Sequence, residues 1–273
     1  MVEITLNIKK SIEQNAADYF ERAKKARKKI EGVKPALERL KKQLENAQNV
    51  EIVLSEEAKV KKLKEKRKQE WFEKFHWFIS SEGFLCVGGR DATTNEIIVK
   101  KHTDKEDFVF HTEAPGSPFF IVKVKSGGGA QPTKKTFEET AIATASFSKG
   151  WKLGVGNMEV FMIKPDQVSK EAQAGQYVAK GAFMIYGKRE YFKPKMEFAI
   201  GMTKEGLENI QGGLIMSGPL EAVKKSCEKY LMIEPGNEKT SAIAKLLQKK
   251  VGGELDEIIR ALPAGGCKVR KEK

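Results

Sequence analysis

The sequence predicts an α+β fold, in which a strand-rich domain carries one main packed helix. Short runs of aromatic and β-branched residues, separated by Gly, Asn, Asp and Pro, begin at Trp71 and are typical of strands. One longer segment among them, residues 134–150, has apolar residues at helical spacing. We expect three parts: a coiled-coil helical hairpin over residues 1–70, the strand-rich domain over 71–200, and a small α/β segment over 201–273.

An apolar seam predicts the coiled coil. Small or apolar residues recur at steps of four and three, at Ile12, Ala16, Tyr19, Ala23, Ala26, Ile30, Val33, Leu37, Leu40, Leu44 and Ala47. This spacing lets one helix pack along another. Pro35 is expected to kink the helix, residues 46–49 to end it, and Ser55 to begin a second helix that runs back. A parallel homodimer through the long helix is the alternative.

Strands and turns are expected in the order of their sequence signals. Before the main helix, the expected strands are FHWFIS, GFLCVGG, EIIVKK, DFVFHTE and PFFIVKVK, with a hairpin turn at SSEG. Thr133 is the expected N-cap of the main helix and Gly150 its C-cap. After it come MEVFMIK, GAFMIYG, REYF and KMEFAIG. Beyond residue 200, strands alternate with helices, and Pro219 is expected to begin the helix PLEAVKKSCEKY.

Charge and composition limit the class of partner. The chain carries 50 basic and 37 acidic residues, a formal net charge of +13, which indicates a polyanionic partner such as nucleic acid or a membrane surface. No apolar run reaches the ~18 residues of a spanning helix, and no signal peptide is recognisable, so a cytoplasmic protein without membrane attachment is expected. The cysteines, Cys86, Cys227 and Cys267, form no CxxC pair and are expected to be buried. No metal or cofactor is predicted.

A glycine-rich loop precedes the main helix. The segment KSGGGAQPT lies between Lys123 and Lys125 on one side and Lys134 and Lys135 on the other, a pattern that could hold an anion at a helix start. It lacks the GxxxxGK[ST] order of a nucleotide-binding loop, which argues against ATP or GTP. The loop is either an exposed connection without ligand or a contact to RNA phosphate.

Polar residues at strand ends leave several interpretations open. Asp107 and His111 lie four residues apart in a predicted strand and share a face, as an acid–base pair or part of a metal site would. No third ligand or nucleophile has suitable spacing, so a structural hydrogen bond, a nucleic-acid contact and catalysis remain alternatives. Arg90, Asp91 and Asn95 either cap a turn or contact RNA phosphate and base edges.

These residues carry a resemblance to a known family. The segments WFEKFHWFISSEGFLCVGGRDATTNEIIVKK, DFVFHTEAPGSPFFIVK, PDQVSK and GQYVAKGAFMIYGKREYF resemble the RNA-binding R domain of the NFACT family, the tail-elongating factors of ribosome-associated quality control. The resemblance is strongest over 71 to about 200 and extends to the preceding hairpin and to an archaeal-type C-terminal segment.

The resemblance implies binding of tRNA or ribosomal RNA without chemistry. In the family, the protein binds the large ribosomal subunit carrying a stalled nascent chain and helps to recruit tRNA. The candidate RNA-binding residues are Arg90, Asp91, Asn95, Lys100, Lys101, Asp107, His111, Thr112, Gly116, Ser117, Lys123, Lys125, Lys134, Lys135, Lys180, Lys188 and Arg189. Full-length members begin with a large N-terminal domain and a helix-hairpin-helix module, and we expect both to be missing here. We therefore expect a stand-alone short member or the C-terminal piece of a longer protein, with the N-terminal half as a possible separate partner.

Three hypotheses follow. The first is an RNA-binding module of ribosome-associated quality control, with no enzymatic activity. The second is an RNA-processing or RNA-modifying enzyme that uses Asp107 and His111. The third is a coiled-coil adaptor whose positive charge is incidental.

Overall fold

The structure is a computed structural model, and the chain divides into two units, Met1–Gln69 and Glu70–Lys273. The structure describes residues 3–65, 69–127, 129–154, 158–171, 178–207, 210 and 212–270, and at 44–65, 126 and 127 it describes the backbone alone.

The elements are given in chain order. The strands are β1 (His76–Ile79), β2 (Leu85–Gly88), β3 (Phe108–Thr112), β4 (Phe120–Lys123), β5 (Val160–Ile163), β6 (Val168–Ser169), β7 (Met184–Ile185), β8 (Glu190–Phe192), β9 (Phe198–Thr203), β10 (Ile215–Pro219), β11 (Cys227–Glu238) and β12 (Cys267–Val269). The α-helices are α1 (Ile12–Glu65), α2 (Ala92–Lys101), α3 (Lys134–Ser146), α4 (Lys149–Leu153), α5 (Leu220–Ser226), α6 (Thr240–Val251) and α7 (Leu255–Ala261). Short 3₁₀-helices cover Trp71–Lys74, Val124–Gly127 and Pro165–Gln167.

The first unit contains one long helix in place of the predicted hairpin. Helix α1 continues for 54 residues and includes Pro35. The turn expected at residues 46–49 and the new start at Ser55 are wrong, because residues 36–65 contain no Gly or Pro and consist largely of Leu, Glu, Lys, Gln and Ala, which favour uninterrupted helix. The described seam residues of α1, such as Ile30, Leu37 and Leu40, are exposed. Side chains of the basic run KKLKEKRK lie outside the described atoms.

The second unit is built around a six-stranded antiparallel sheet with the order β1-β2-β4-β3-β5-β8. The α+β class and the SSEG hairpin between β1 and β2 are confirmed. Side chains alternate across this sheet with the period of two that strands impose. In β3, Phe110 belongs to the main core, whereas Val109 belongs to a second cluster with Phe119, Phe161 and Ile163 on the opposite face. Both faces of the sheet are therefore covered.

Helix α3 and a second sheet cover the first face. The second sheet has the order β10-β9-β11-β12, and one continuous core joins it to α3 and to the first sheet. Strand β9 crosses the boundary expected at residue 200, so residues 201–273 pack as part of the second unit. The expected helix PLEAVKKSCEKY is shorter, because Pro219 ends β10 and Cys227 begins β11.

Helix α2 and the β6–β7 pair cover the second face. Val99 from α2 and Val168, Phe183 and Ile185 from the 168–185 region pack on the second cluster. The segment EIIVKK, predicted as a strand, lies in α2. The prediction was wrong because Ile and Val fit either structure, and Asp91 decides the outcome by capping the helix through its bond from the Thr94 amide.

The main helix also ends earlier than predicted. Thr133 is its N-cap, as expected, but α3 stops at Ser146. Gly150 is a buried residue inside the short helix α4, whose C-cap is Gly154 in the left-handed conformation. A turn at Phe147 and a bend at Ser148 separate α3 from α4, and Trp151 of α4 is fully buried in the core.

Asp107 and Lys123 form a buried ion pair between β3 and β4. The Lys123 ammonium donates to the carboxylates of Asp107 at 2.5 Å and Asp104 at 2.9 Å and to the carbonyl oxygen of His102 at 2.7 Å. Asp107 is fully buried, and the Lys123 side chain is 13% exposed. Lys123, expected as an RNA-binding cation, is thus neutralised inside the fold. Lys125 remains exposed beside Asp104 at 3.6 Å.

The three cysteines lie in the interior of the fold. Cys86, Cys227 and Cys267 are free and buried, as predicted, and burial raises the pKa of the Cys227 thiol to about 12. In the part of the chain that the structure describes, no group of three or more His, Cys, Asp or Glu residues could hold a metal ion. No helix over these residues has the length and apolar content to cross a membrane.

We expect Lys123→Ala to destabilise the fold by about 3–5 kcal/mol, because it leaves the buried Asp107 carboxylate without its ion partner. Lys125→Ala is the matched control, since its exposed pair with Asp104 contributes at most about 1 kcal/mol. Urea denaturation of both variants measures the difference. Equal stability of the two variants would contradict this account.

We also expect stability to fall as the pH drops from about 7 to 5, in part through His76. Burial, with a contribution from the Arg90 charge, holds the pKa of His76 well below its usual value. Between that pKa and ~6.5 the unfolded chain binds the proton and the folded chain does not, so the free energy of unfolding decreases with falling pH. His76→Phe preserves the stacking on Phe147, whose ring centroid is 3.7 Å away. Denaturation at several pH values should show a shallower slope in this variant, and an unchanged slope would refute the assignment.

Candidate nucleic-acid interface

Two adjacent concavities lie on the second face of the first sheet. The motif cleft, of about 310 Å³, is lined chiefly by residues 89–92, Asn95, His111, residues 115–119 and residues 180–183. The lysine groove, of about 540 Å³, is lined by Thr93, Glu96, Ile97, Lys100, Lys101, Lys170, Val178 and Lys180. Lys180 lines both, so the two concavities are neighbours.

The start of α2 forms one side of the motif cleft. Asp91 Oδ1 accepts the Thr94 amide at 2.8 Å, and Thr94 Oγ1 accepts the amides of Arg90 and Asp91, each at 2.8 Å. The bond from the Thr94 amide contributes most to holding the pKa of Asp91 below its usual value, and the Lys180 charge adds to it. Asp91 is therefore an ionised helix cap at the edge of the cleft.

Asn95 joins α2 to the loop before β4. It is 7% exposed, its amide nitrogen donates to the Ser117 carbonyl at 3.3 Å, and its amide oxygen accepts the Phe119 N–H at 3.0 Å. Gly89 permits this arrangement, since a Cβ there would lie 2.0 Å from the Asn95 oxygen. Asn95 thus organises the cleft from beneath, as a bridge between two elements.

The loop 112–117 is closed by its own hydroxyl groups. The Thr112 and Ser117 hydroxyls are hydrogen-bonded to each other, and Ser117 Oγ donates to the Ala114 carbonyl at 3.1 Å. Gly116 has a φ of +81°, which glycine adopts readily, and is exposed at the tip. Thr112 and Ser117 are buried, so they shape the loop, whereas Gly116 is exposed together with Glu113 and Pro115.

His111 lies under the same loop. Its Nε2 is 3.2 Å from the Ser117 carbonyl oxygen, and its ring stacks on Phe119 with centroids 4.1 Å apart. Burial lowers the pKa of His111. Asp107 instead bonds to Lys123 and to the Val124 amide. The two residues predicted to share a face therefore have separate partners.

Arg90 is half-buried and also lines the cleft. Its Nη2 donates to the Phe75 carbonyl at 2.8 Å, and its Nε is buried without a hydrogen-bond partner among the described residues. Burial and the nearby charge of Arg260 lower the pKa of Arg90 to about 10. The guanidinium remains protonated at neutral pH and contributes positive charge to the cleft.

The lysine groove has one carboxylate among its described lining residues. Glu96 accepts from Lys100 at 2.6 Å and lies 3.6 Å from Lys170, and the bond from Lys100 lowers the pKa of Glu96. Lys170 also donates to the carbonyls of Ala179 and Ala182. Among the described residues, Lys101 and Lys180 form no ion pair and are exposed. The groove is therefore strongly positive.

Lys170 is the groove residue that the sequence prediction missed. It lies at the end of the PDQVSK segment, and nothing in its immediate sequence marks it apart from other lysines. Its place in the groove depends on Glu96, which comes from another element. The PDQVSK segment was part of the family resemblance, but Lys170 was not among the predicted RNA-binding residues.

The remaining predicted cations lie elsewhere. Lys134, 3.7 Å from Glu138, and exposed Lys135 begin α3 on the other face of the sheet, beyond a glycine loop that is only partly described. Exposed Lys188 and half-buried Arg189 line a separate concavity of about 430 Å³. Arg189 donates to Glu113 at 2.5 Å, which reduces its availability to an anion. The predicted residues therefore do not form one surface.

The chain matches two sequence models of one family. Residues 74–187 match the NFACT protein RNA binding domain, and residues 1–74 match the NFACT N-terminal and middle domains. A structure of the C-terminal part of the fibronectin/fibrinogen-binding protein from Streptococcus suis has a TM-score of 0.37 and 16% identity, covering 54% of this chain and 53% of that one. That value is too low to support an argument.

Curated relatives agree with the family models. The archaeal Rqc2 homolog aRqcH of Methanocaldococcus jannaschii is 38% identical over 78% of this chain and 31% of its own length. The ribosome quality control complex subunit NEMF of Homo sapiens is 34% identical over 66% of this chain and 16% of its own length. Subunit 2 of the same complex in Schizosaccharomyces pombe is 38% identical over 47% and 12%. The chain thus spans less than a third of these relatives, and it belongs to the NFACT family, whose RNA binding domain it carries.

Proposed function

We propose that this chain is an RNA-binding module of ribosome-associated quality control, and that it contacts tRNA or ribosomal RNA through the lysine groove. The observation that carries the proposal is the charge of the groove: four lysines and one glutamate among its described lining residues. Phosphate contacts by Lys and Arg supply most of the sequence-independent affinity for nucleic acid. The match to an RNA binding domain over 74–187 supports the same assignment.

The names of the relatives suggest the cellular setting. Two relatives of this chain are named as ribosome quality control complex subunits. By analogy, the partner is the large ribosomal subunit with a stalled nascent chain, in the cytoplasm. The relatives are longer than this chain. An N-terminal NFACT half, in the same or another chain, would supply the functions that reside in that additional length.

The contacts of Asp107 and His111, the two residues considered as an acid–base pair, favour a role without catalysis. Asp107 is fully buried and bonded to Lys123, and His111 is stacked on Phe119 beneath a loop carbonyl. A general acid or base needs to reach the proton that it transfers. Asp107 has no such access, and the His111 ring is engaged by Phe119 and the Ser117 carbonyl, which argues for an RNA-binding module rather than an RNA-processing enzyme.

The exposed seam of α1 suggests that this helix has a partner. Its apolar residues recur at heptad spacing, including Ile30, Val33, Leu37 and Leu40, all exposed by about half or more in this chain (49–64%). We propose a second copy of α1 as that partner. Sedimentation equilibrium of the full chain should give a mass that rises with concentration towards a dimer, and Leu37→Lys with Leu40→Lys should abolish the rise. A concentration-independent monomer mass would exclude the homodimer and favour an NFACT N-terminal half instead.

Charge reversal in the groove should weaken RNA binding. We expect Lys101→Glu with Lys180→Glu to lower the affinity for tRNA by about tenfold and to reduce the slope of log K against log[salt] by about 1.5, since each phosphate contact contributes about 0.7 to 0.9. Both lysines are exposed and form no ion pair among the described residues, so folding should be retained. Filter binding or fluorescence anisotropy at several salt concentrations measures both quantities.

Lys249→Glu with Lys250→Glu is the matched control for this experiment. These exposed lysines end α6 and lie outside the groove lining, while the change in net charge is the same. If the control weakened tRNA binding as much as the groove variant, net charge rather than the groove would explain the affinity. That result would support the adaptor hypothesis, in which the positive charge is incidental.

A further inference from the structure

We propose that the motif cleft receives one unstacked nucleobase from RNA whose phosphates lie in the lysine groove. This inference rests on the proposed RNA-binding function and specifies which part of the RNA is recognised. It concerns the cleft formed by the start of α2, the 115–119 loop and residues 180–183.

The charges that line the cleft fit a base better than a phosphate. Arg90 and Lys180 are cations, but the ionised Asp91 carboxylate lines the same cleft and is close enough to Lys180 for the lysine charge to act on it. A carboxylate repels phosphate, whereas it accepts hydrogen bonds from the amino and imino groups of a base edge. Mixed donors and acceptors therefore match a base edge, and the neighbouring groove, with four lysines and one glutamate among its described lining residues, matches phosphates.

The size and aromatic lining of the cleft agree with this ligand. Its volume of about 310 Å³ suits a small planar group. His111 and Phe183, both partly exposed, line it together with Phe119. The rings already pack on one another, since the His111 and Phe119 centroids are 4.1 Å apart and those of Phe119 and Phe183 are 5.3 Å apart. Bases of single-stranded RNA stack on such rings in many proteins.

The cleft is also held in a fixed shape. Asn95 bonds to both Ser117 and Phe119, which sets the distance between α2 and the 115–119 loop. On the other side, Gly181 approaches Ala92 so closely that a Cβ at Gly181 would lie 2.5 Å from the Ala92 Cα. A site formed before the ligand arrives loses little conformational entropy on binding.

The adjacency of the cleft and the groove links base and phosphate. Lys180 lines both concavities, and the adjacent α2 residues Ala92 and Thr93 line the cleft and the groove respectively. A phosphate held near Lys180 therefore places the attached nucleotide at the cleft opening. Because a base in a duplex is stacked and paired, the geometry favours RNA with unpaired nucleotides.

Filling the cleft tests the proposal. Ala182 is exposed and lines the cleft, so Ala182→Trp should occupy it. Ala179 is exposed, three residues earlier, and outside both linings, which makes Ala179→Trp the matched control. The probes are a short single-stranded RNA of mixed sequence and the same RNA with abasic residues, measured by anisotropy with the full chain.

We expect the unmodified protein to bind the abasic RNA about tenfold more weakly than the base-containing RNA, a loss typical of one stacked base. Ala182→Trp should lose about tenfold for the base-containing RNA and nothing for the abasic RNA, while Ala179→Trp should match the unmodified protein on both. Thermal unfolding of the variants checks that they fold.

Two results would overturn the inference while leaving the proposed function intact: equal binding of both RNAs by the unmodified protein, or equal effects of the two tryptophans. The first comparison needs no variant, so it decides the question even if Ala182→Trp fails to fold. Absence of binding to either RNA would overturn this inference, and absence of binding to tRNA as well would overturn the proposed function with it.

Discussion

Burial of both faces of the six-stranded sheet is the constraint on which the candidate interface depends. Val109, Phe119, Phe161 and Ile163 are at most 3% exposed and turn away from the main core. Each such side chain contributes about 1.5–3 kcal/mol when it is covered. The cover consists of α2 and the β6–β7 pair, which are too short to be stable alone. The cleft and the groove are the spaces that remain between these covering elements, so their positions follow from the packing of the second face.

The polar residues near this face divide into two groups with different roles. Buried members, such as Asn95, Ser117 and Asp107, have hydrogen-bond or ion-pair partners within the fold. An unpartnered polar group in such a place would cost about 1–3 kcal/mol. Exposed members, such as Lys101 and Lys180, have no such partner among the described residues and remain available to an anion. The first group shapes the loops, and the second can bind RNA.

The strand-rich domain was predictable because short aromatic and β-branched runs between turn residues are typical of strands. This signal identified β3, β4 and β5 at nearly their observed positions. It failed for α2, because the run EIIV satisfies both strand and helix, and the decision came from a cap formed by Asp91 and Thr94. It failed for the hairpin as well, since no Gly or Pro between residues 36 and 65 interrupts α1.

The family, the fold class, the positive net charge and the heptad seam were all determined by the sequence alone, because each depends on composition or on residues near one another in the chain. Which cations face solvent was decided only by the tertiary structure. Lys123 meets Asp104 and Asp107, and Lys170 meets Glu96, across elements that lie far apart in the sequence. Coulomb attraction between ions weakens as the distance grows and is strongest where water is excluded, so only folded distances distinguish a neutralised lysine from an available one.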